Sequence, residues 1–382
     1  MTEFSQRSGL RVAIIGTRGY PSYYGGFETA VRRLAPYLAD SGWDVTVYGR
    51  PGTTKADDPA RDARVRTVVT AGMETTSLST LSFGLTAVLH AMREKPDVAL
   101  IMNVANGFWL PLLRLRGIPT VVNVDGIEWE RAKWGRAAKT VFRLGARMTA
   151  RWGSELIADA HAISARWKKE FGRTSVFVPY GGDTPDVLPV SEGLSHRGYI
   201  LLVARFVPEN TIVEFLEAAS VLAAQHRIVI VGSSGYGGPL DERAAELAEE
   251  HSNIQWLGHV SDDQKLYSLW QHAGAYFHGH SVGGTNPALV QAMACGAPVV
   301  ARDTVYNREV LADTAVFVAP DVPAIIQALQ TAMAAAHSFD PSEIVARARE
   351  HYSWEGVCEG YEKALLVQLP DHAVSQDHNP AR

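Results

Sequence analysis

Residues 277–296 run FHGHSVGGTNPALVQAMACG, and two different chemistries fit them. GHSVG at 279–283 matches the G-x-S-x-G elbow that exposes a nucleophilic serine, here Ser281, on a strand-to-helix turn. The same stretch is also a glycine turn leading to Asn286-Pro287, a helix N-cap followed by proline in the first turn. A turn of that kind aims backbone amides and the positive end of a helix dipole at an anion. Spacing favours the second chemistry. An elbow needs its serine on the sharp turn itself, with the helix starting at once behind it and an upstream oxyanion loop of the HGGG kind. Here the helix starts near 287, and no such loop appears. Asp303, Asp313, His337 and His351 supply acids and histidines in the right order, as almost any sequence would. A serine hydrolase stays as an alternative.

Other residues could serve an anion too. The loop GTRGYPSYYGGFET (16–29) places Gly25 and Gly26 just ahead of a helix, where missing Cβ atoms let a ligand reach the amides. It is not G-x-G-x-x-G, so the dinucleotide fingerprint fails. Arg205, in ARFVPEN (204–210), follows a strand and carries a guanidinium suited to phosphate, unless it pairs with Glu209 on the surface. His278 and His280 form an H-x-H pair, a possible metal half-site with no evident third ligand, and a structural role fits them better. Arg131, Lys133, Arg136, Lys139, Arg143, Arg147 and Arg151 run with no acid between them. The last five, three or four apart, form one basic stripe on a helix, with Val141, Leu144, Met148 and Trp152 along an apolar side. That helix suits an anionic membrane surface or a pyrophosphate-linked acceptor, or it is a solvated face. Asp125, Glu128 and Trp129, just past a strand, offer acid and stacking groups.

The elements that must position these residues alternate. Short apolar runs and longer stretches of helical period follow one another throughout, the pattern of parallel α/β structure. Strands are expected at 11–16, 44–49, 64–70, 97–103, 119–124, 160–164 and 175–180, then at 199–204, 226–232, 253–258, 275–279, 297–301 and 315–319. The segment 181–198, rich in Gly, Pro, Ser and Asp, reads as a linker, and 382 residues are more than one core usually takes. The expected domains are 1–184 and 185–352, then a helix over 353–369 and a disordered tail over 370–382. Two Rossmann-like domains joined this way are expected to face a central cleft, with ligands at the carboxyl ends of their strands. A net charge of -5 argues against a general nucleic-acid binder. Two cysteines without metal spacing, and an N-terminus lacking the apolar core of a signal peptide, suggest a cytoplasmic protein, at most peripheral on a membrane.

Taken together, GTRGYP…YGGFET, DGIEW followed by KW, and HSVGGTNP…AMACGAPVVA resemble the retaining glycosyltransferase family 4 of the GT-B fold, and within it a bacterial rhamnosyltransferase-like branch. The resemblance covers nearly the whole chain. It implies that SWEGVCEGYEKAL is a C-terminal helix crossing back to the first domain. It also implies that Gly25 and Gly26 contact donor phosphates near the reaction centre and that Arg205 clamps the pyrophosphate. Ser281, Gly283, Gly284, Thr285 and Asn286 would present amides to sugar and phosphates, and Gly258–Val260 would hold the base. Asp125 falls where many relatives have a histidine that touches the donor sugar. The common family carries two glutamates eight positions apart and a lysine five after the arginine; Gly283, Gln291 and Asn210 stand there. Gly283 and Asn210 suit the rhamnosyl-type branch, but Gln291 replaces a glutamate that binds the donor ribose, which predicts weakened donor binding.

The implied reaction is transfer of rhamnose, with retention, from dTDP-L-rhamnose to a saccharide or polyprenyl-linked acceptor. Leaving-group charge would be met by Arg205, amides and helix N-termini, with no metal or other cofactor. Asp125, Arg205 and Gly26 would stand nearest the chemistry, and Glu128, Trp129 and the basic stripe nearest acceptor or membrane. The alternatives are a transferase for a UDP- or GDP-linked sugar, a nucleotide-sugar epimerase, and a non-catalytic sugar-nucleotide-binding relic.

Overall fold

The structure, a computed structural model, describes residues 9–23, 25–54, 57–73, 79–124, 126–131, 134–235 and 237–370. The chain divides into two units. The first comprises Met1–Glu130, Trp134–Pro179 and Glu355–Arg382, and the second Arg131–Lys133 and Tyr180–Trp354.

The first unit holds β1 (Arg11–Ile15), β2 (Asp44–Gly49), β3 (Arg66–Val69), β4 (Val98–Met102), β5 (Thr120–Asn123), β6 (Glu155–Ala158) and β7 (Val176–Phe177). They form one parallel sheet in the order β3-β2-β1-β4-β5-β6-β7. Its helices are α1 (Gly26–Asp40), α2 (Ser79–Glu94), α3 (Leu110–Leu115), α4 (Arg136–Trp152) and α5 (His161–Phe171). Every residue of β4 and β5 is buried, as expected of central strands covered on both faces. Gly42, just past the end of α1, follows Ser41 at a φ of 91°. Its N–H reaches the Ala39 carbonyl, and the Trp43 N–H reaches Leu38, the two bonds of a Schellman motif.

The second unit holds β8 (Tyr199–Val203), β9 (Arg227–Val231), β10 (Ile254–Trp256), β11 (Ala275–His278), β12 (Val299–Arg302) and β13 (Val316–Val318), all parallel, in the order β10-β9-β8-β11-β12-β13. Its helices are α6 (Ile212–Leu222), α7 (Pro239–Glu250), α8 (Asp263–His272), α9 (Pro287–Ala294), α10 (Val305–Leu311), α11 (Val322–Ala335) and α12 (Ser342–His351). Separate hydrophobic layers cover the two faces of this sheet. Tyr199, Leu201 and Tyr276 pack toward α9 and α12, and Ile200, Leu202 and Phe277 toward α6 and α11. Such alternation is what a strand with both faces covered requires. Both sheets reverse their winding between the first strand and its non-sequential neighbour, β1 beside β4 and β8 beside β11. Ligands of doubly wound sheets collect at the carboxyl ends of strands at such points.

α13 (Trp354–Leu366) is packed on the first unit. Its buried Glu362 accepts hydrogen bonds from Trp43 Nε1 at 3.0 Å and Tyr37 Oη at 3.3 Å. Burial, then Glu362 itself, pushes the Tyr37 phenol up to about 12. Asn123 Nδ2 donates to Tyr361 Oη, and Gly360 lies against Val178.

Two expectations need correction. The unit break falls after Pro179 rather than after residue 184, because residues 181–183 pack inside the second unit. Gly182 donates to the Tyr352 carbonyl at 2.8 Å, and a side chain there would meet Val290 and Ala294. Of the stretch 160–164, Ala160 is an extended N-cap and 161–164 are helical: Ile163 and Trp167, four apart, bury one face of α5, while the strand is the preceding ELIA. The expected tail lies, from residue 371, outside the described residues.

Candidate functional site

The second unit gathers its functional candidates at the carboxyl ends of β8 and β11. Arg205 stands two residues past β8 and is exposed, and among the described residues it forms no ion pair, with Glu209 or otherwise. The Ser281 N–H and Oγ both donate to the Glu209 carbonyl, at 3.0 and 2.8 Å, tying the turn after β11 to the segment after β8. Asn210 completes the tie. Its Nδ2 donates to the Arg205 carbonyl at 2.8 Å, and its Oδ1 faces His280 Nδ1 at 2.5 Å. The loop that carries Arg205 is therefore held by side chains, while its guanidinium is left available.

Between these anchors, Gly283 takes a φ of 101°, and Gly283, Gly284 and Thr285 are buried. A Cβ on Gly283 would lie 3.5 Å from His280 Nε2 and 3.7 Å from an Arg131 guanidinium nitrogen. Asn286 caps α9, its side chain accepting from the Ala288 N–H at 2.9 Å, and Pro287 occupies the first turn. Enclosure, then His278, Arg131 and Arg205, holds His280 well below the usual imidazole range. Burial pushes His278 down to about 3. His278 Nδ1 meets Tyr276 Oη at 3.1 Å, and its Nε2 is buried with no hydrogen-bond partner among the described residues. The Nδ1 atoms of the H-x-H pair thus turn to Tyr276 and Asn210, and among the described residues no group of three His, Cys, Asp or Glu could hold a metal. Farther along the sheet, Gly258, at a φ of 62°, accepts from the Gly232 N–H at 2.7 Å, joining the loops after β9 and β10; Val260 is half-buried.

The arrangement can neutralise an anion with a guanidinium, turn amides and a helix start. It is not a hydrolase triad. Ser281 Oγ donates to a main-chain carbonyl and, among the described residues, to no histidine, whereas a nucleophile must bond to its base.

In the first unit, Gly25 is the N-cap of α1 in extended backbone and Gly26 begins the helix. The anion at this helix start is the protein's own. Glu28, buried at the third helical position, accepts from the Arg18 N–H at 3.1 Å, and its Oε2 comes within 3.4 Å of a Cβ built on Gly25. Glu128 and Trp129 depart from expectation. Glu128 is buried and accepts from Trp134 Nε1 at 3.0 Å. Trp129 is buried edge-on against Trp167 and Phe171, ring centroids 6.2 and 5.8 Å away, so it is a core residue rather than a stacking platform. Asp125 and Lys133 lie outside the described residues.

Domain models give the same division. A glycosyl transferase 4-like domain matches residues 25–181, and the glycosyl transferases group 1 domain matches residues 190–346. Both matches are to glycosyltransferase domains. Among curated relatives, O-antigen chain mannosyltransferase B of Escherichia coli is 29% identical over 188 residues, 44% of this chain and 46% of that protein. A phosphatidyl-myo-inositol mannosyltransferase of Mycolicibacterium smegmatis is 34% identical over 161 residues, 40% of each. The chain spans less than half the length of either. Sucrose-phosphate synthase of Thermosynechococcus elongatus matches with a TM-score of 0.78 at 18% identity, over 93% of this chain and 98% of that one. That likeness establishes the fold, two Rossmann-like units of the GT-B kind.

Two roles escape a reading by type and spacing. Glu28 sits where a capping-box glutamate would, three positions past the N-cap, and that signal was available. Gln291 gave none: its amide is bonded to the main chain of Asp183, 108 residues away.

Proposed function

We propose that the chain is a retaining hexosyltransferase moving a 6-deoxyhexose, rhamnose from dTDP-L-rhamnose, to a saccharide or polyprenyl-linked acceptor in cell-surface polysaccharide synthesis. The observation that carries this reading is the placement of Arg205 beside the turn 279–286 at the winding reversal of the second sheet, with its loop held by Asn210 and Ser281. Glycosyl transfer spreads positive charge over the sugar and negative charge onto the departing phosphate. Arg205, the amides of Gly283–Asn286 and the start of α9 meet that charge as it develops, without reorganising. The leaving phosphate takes the acceptor's proton, and the acceptor attacks from the face it vacates, which retains configuration. Asp125 orients the sugar in this scheme. Charge stabilisation is assigned to protein groups, so turnover is expected to survive chelation by EDTA. The work is placed in the cytoplasm, at the inner face of the membrane.

A second reading has a specific ground: both curated relatives are named mannosyltransferases. A mannose donor would use the same anion site with a different base and sugar. Calorimetry with dTDP, dTDP-L-rhamnose, UDP-glucose and GDP-mannose tests both. Selective binding of the dTDP compounds is expected. Binding of GDP-mannose alone would move the assignment to mannose, and binding of none would withdraw the transferase reading.

A further inference from the structure

α4 packs by its smallest residues. Gly145, Ala146 and Thr149 are its buried positions, and a Cβ on Gly145 would come within 2.7 Å of the Val104 carbonyl. Its bulky apolar residues therefore lie elsewhere. Leu144 is 42% exposed, and Val141, Met148 and Trp152 are half-buried. At 100° per residue these four form a ridge about a quarter turn from the packed face. The basic stripe runs along the other border of the open face. Arg136, Arg143, Arg147 and Arg151 are exposed and Lys139 half-exposed. Arg143 pairs with Glu170 at 2.8 Å; Arg136, Lys139, Arg147 and Arg151 form no ion pair among the described residues.

The patch continues onto α3. Leu115, its last residue, is 82% exposed and sits between Arg114 and Arg116. Trp152 lies between two cations, with the Arg114 and Arg151 guanidinium carbons 5.7 and 5.8 Å from its ring centre. Neither helix contains an acidic residue, in a chain whose net charge is -5. Exposed leucines, an indole between arginines and a parallel row of cations, most of them outside any ion pair among the described residues, are the parts of a helix that lies in a lipid interface. From Arg136 to Arg151 the row spans about 22 Å, far more than one phosphate or pyrophosphate can bridge. A sheet of anionic headgroups can engage it along its whole length.

We infer that the exposed faces of α3 and α4 form a docking surface for an anionic lipid monolayer, with Leu115, Leu144 and Met148 entering the headgroup–acyl boundary and the arginines pairing with headgroup phosphates. This goes beyond the proposed reaction and does not depend on the identity of the donor. The test is co-sedimentation of the full chain with vesicles of phosphatidylcholine alone or mixed with phosphatidylglycerol. Binding is expected only to the mixed vesicles and is expected to weaken with salt. Replacing Arg136, Arg147 and Arg151 together by glutamine should weaken it roughly a hundredfold, at about fivefold for each cation. Leu115→Ser with Leu144→Ser should remove the binding that persists in high salt. All these side chains are surface-exposed, so unchanged melting temperatures separate loss of docking from loss of fold. Equal binding to both vesicle types, no binding, or full binding by the triple variant would overturn the inference. So would displacement by inorganic pyrophosphate at matched charge, which would point to a soluble anion site. Vesicle binding needs neither donor nor acceptor, so its failure and that of the transferase reading are read separately.

Discussion

The side-chain amide of Gln291 is bonded to both sides of Asp183: Oε1 accepts from the Asp183 N–H at 2.9 Å, and Nε2 donates to the Asp183 carbonyl at 2.7 Å. Nε2 also reaches Cys295 Sγ at 3.4 Å, and the Asp183 carboxylate accepts from Tyr267 Oη at 2.7 Å. Gln291 stands where the resembling family keeps a ribose-binding glutamate, but here its polar atoms clamp the segment that enters the second unit. A glutamate could not donate to the Asp183 carbonyl. Gln291→Glu is therefore expected to lower stability by about 1 kcal/mol, the net value of one part-buried hydrogen bond. Calorimetric unfolding would measure it, and titration with sugar nucleotides should show no gain in donor affinity. Tighter donor binding at unchanged stability would restore the ribose role.

Arg205 is the reverse case, a guanidinium with no ion pair to lose among the described residues. Arg205→Ala should leave the melting temperature within about a degree or two and weaken nucleotide-sugar binding about 10–100-fold, the value of a charge-assisted bond. Arg205→Lys should recover part of the loss. An unchanged binding isotherm would remove Arg205 from the site.

Ser281 should behave as a pin. Removing its hydroxyl leaves the Glu209 carbonyl with the Ser281 N–H alone, so Ser281→Ala is expected to cost about 1 kcal/mol of stability. A fluorophosphonate probe should label neither wild type nor variant. Labelling of the wild type that the substitution abolishes would bring the hydrolase back.

His278 gives the chain an acid sensitivity of definite sign. Its folded value is pushed down to about 3, below the ordinary 6.5. Above pH 6.5 neither the folded nor the unfolded chain binds the proton. Below it, only the unfolded chain does, so stability falls as pH drops from 6.5 towards 3. Between about pH 6.5 and pH 5 the loss is about 2 kcal/mol, with enclosed His280 acting in the same direction. His278→Gln should flatten this part of a stability–pH curve measured by urea unfolding. An identical slope would place the titrating group elsewhere.

Trp129 separates core from acceptor contact. Trp129→Ala should cost about 3–5 kcal/mol by opening a cavity beside Trp167 and Phe171. Trp129→Phe should keep most of the stability and leave the KM for acceptor unchanged.

What was legible in the sequence was local. Asn286-Pro287 marks the start of α9 because a cap and a proline act within one turn, and Gly42 marks the end of α1 for the same reason. Buried parallel strands announce themselves as short apolar runs. Misreadings arose where a local signal was ambiguous or the deciding partner was distant. AHAIS alternates like a strand, but Trp167, beyond the run, sets a helical face. Trp129 looks like a platform until Phe171 and Trp167 are folded around it. A pattern within one element carries no trace of a bond spanning 108 residues, such as that between Gln291 and Asp183.

Glu362 reaches Trp43 and Tyr37 across more than three hundred residues of chain, and this sets an order of assembly. The ribosome finishes β1 to β7 long before α13 exists, although domains usually fold as they emerge. The first unit must wait, with the indole N–H of Trp43 and the side of Val178 uncovered, until α13 leaves the exit tunnel. A nascent or truncated chain ending near residue 180 is thus the form most exposed to aggregation and to chaperone capture, and cutting the gene there does not yield two self-sufficient halves.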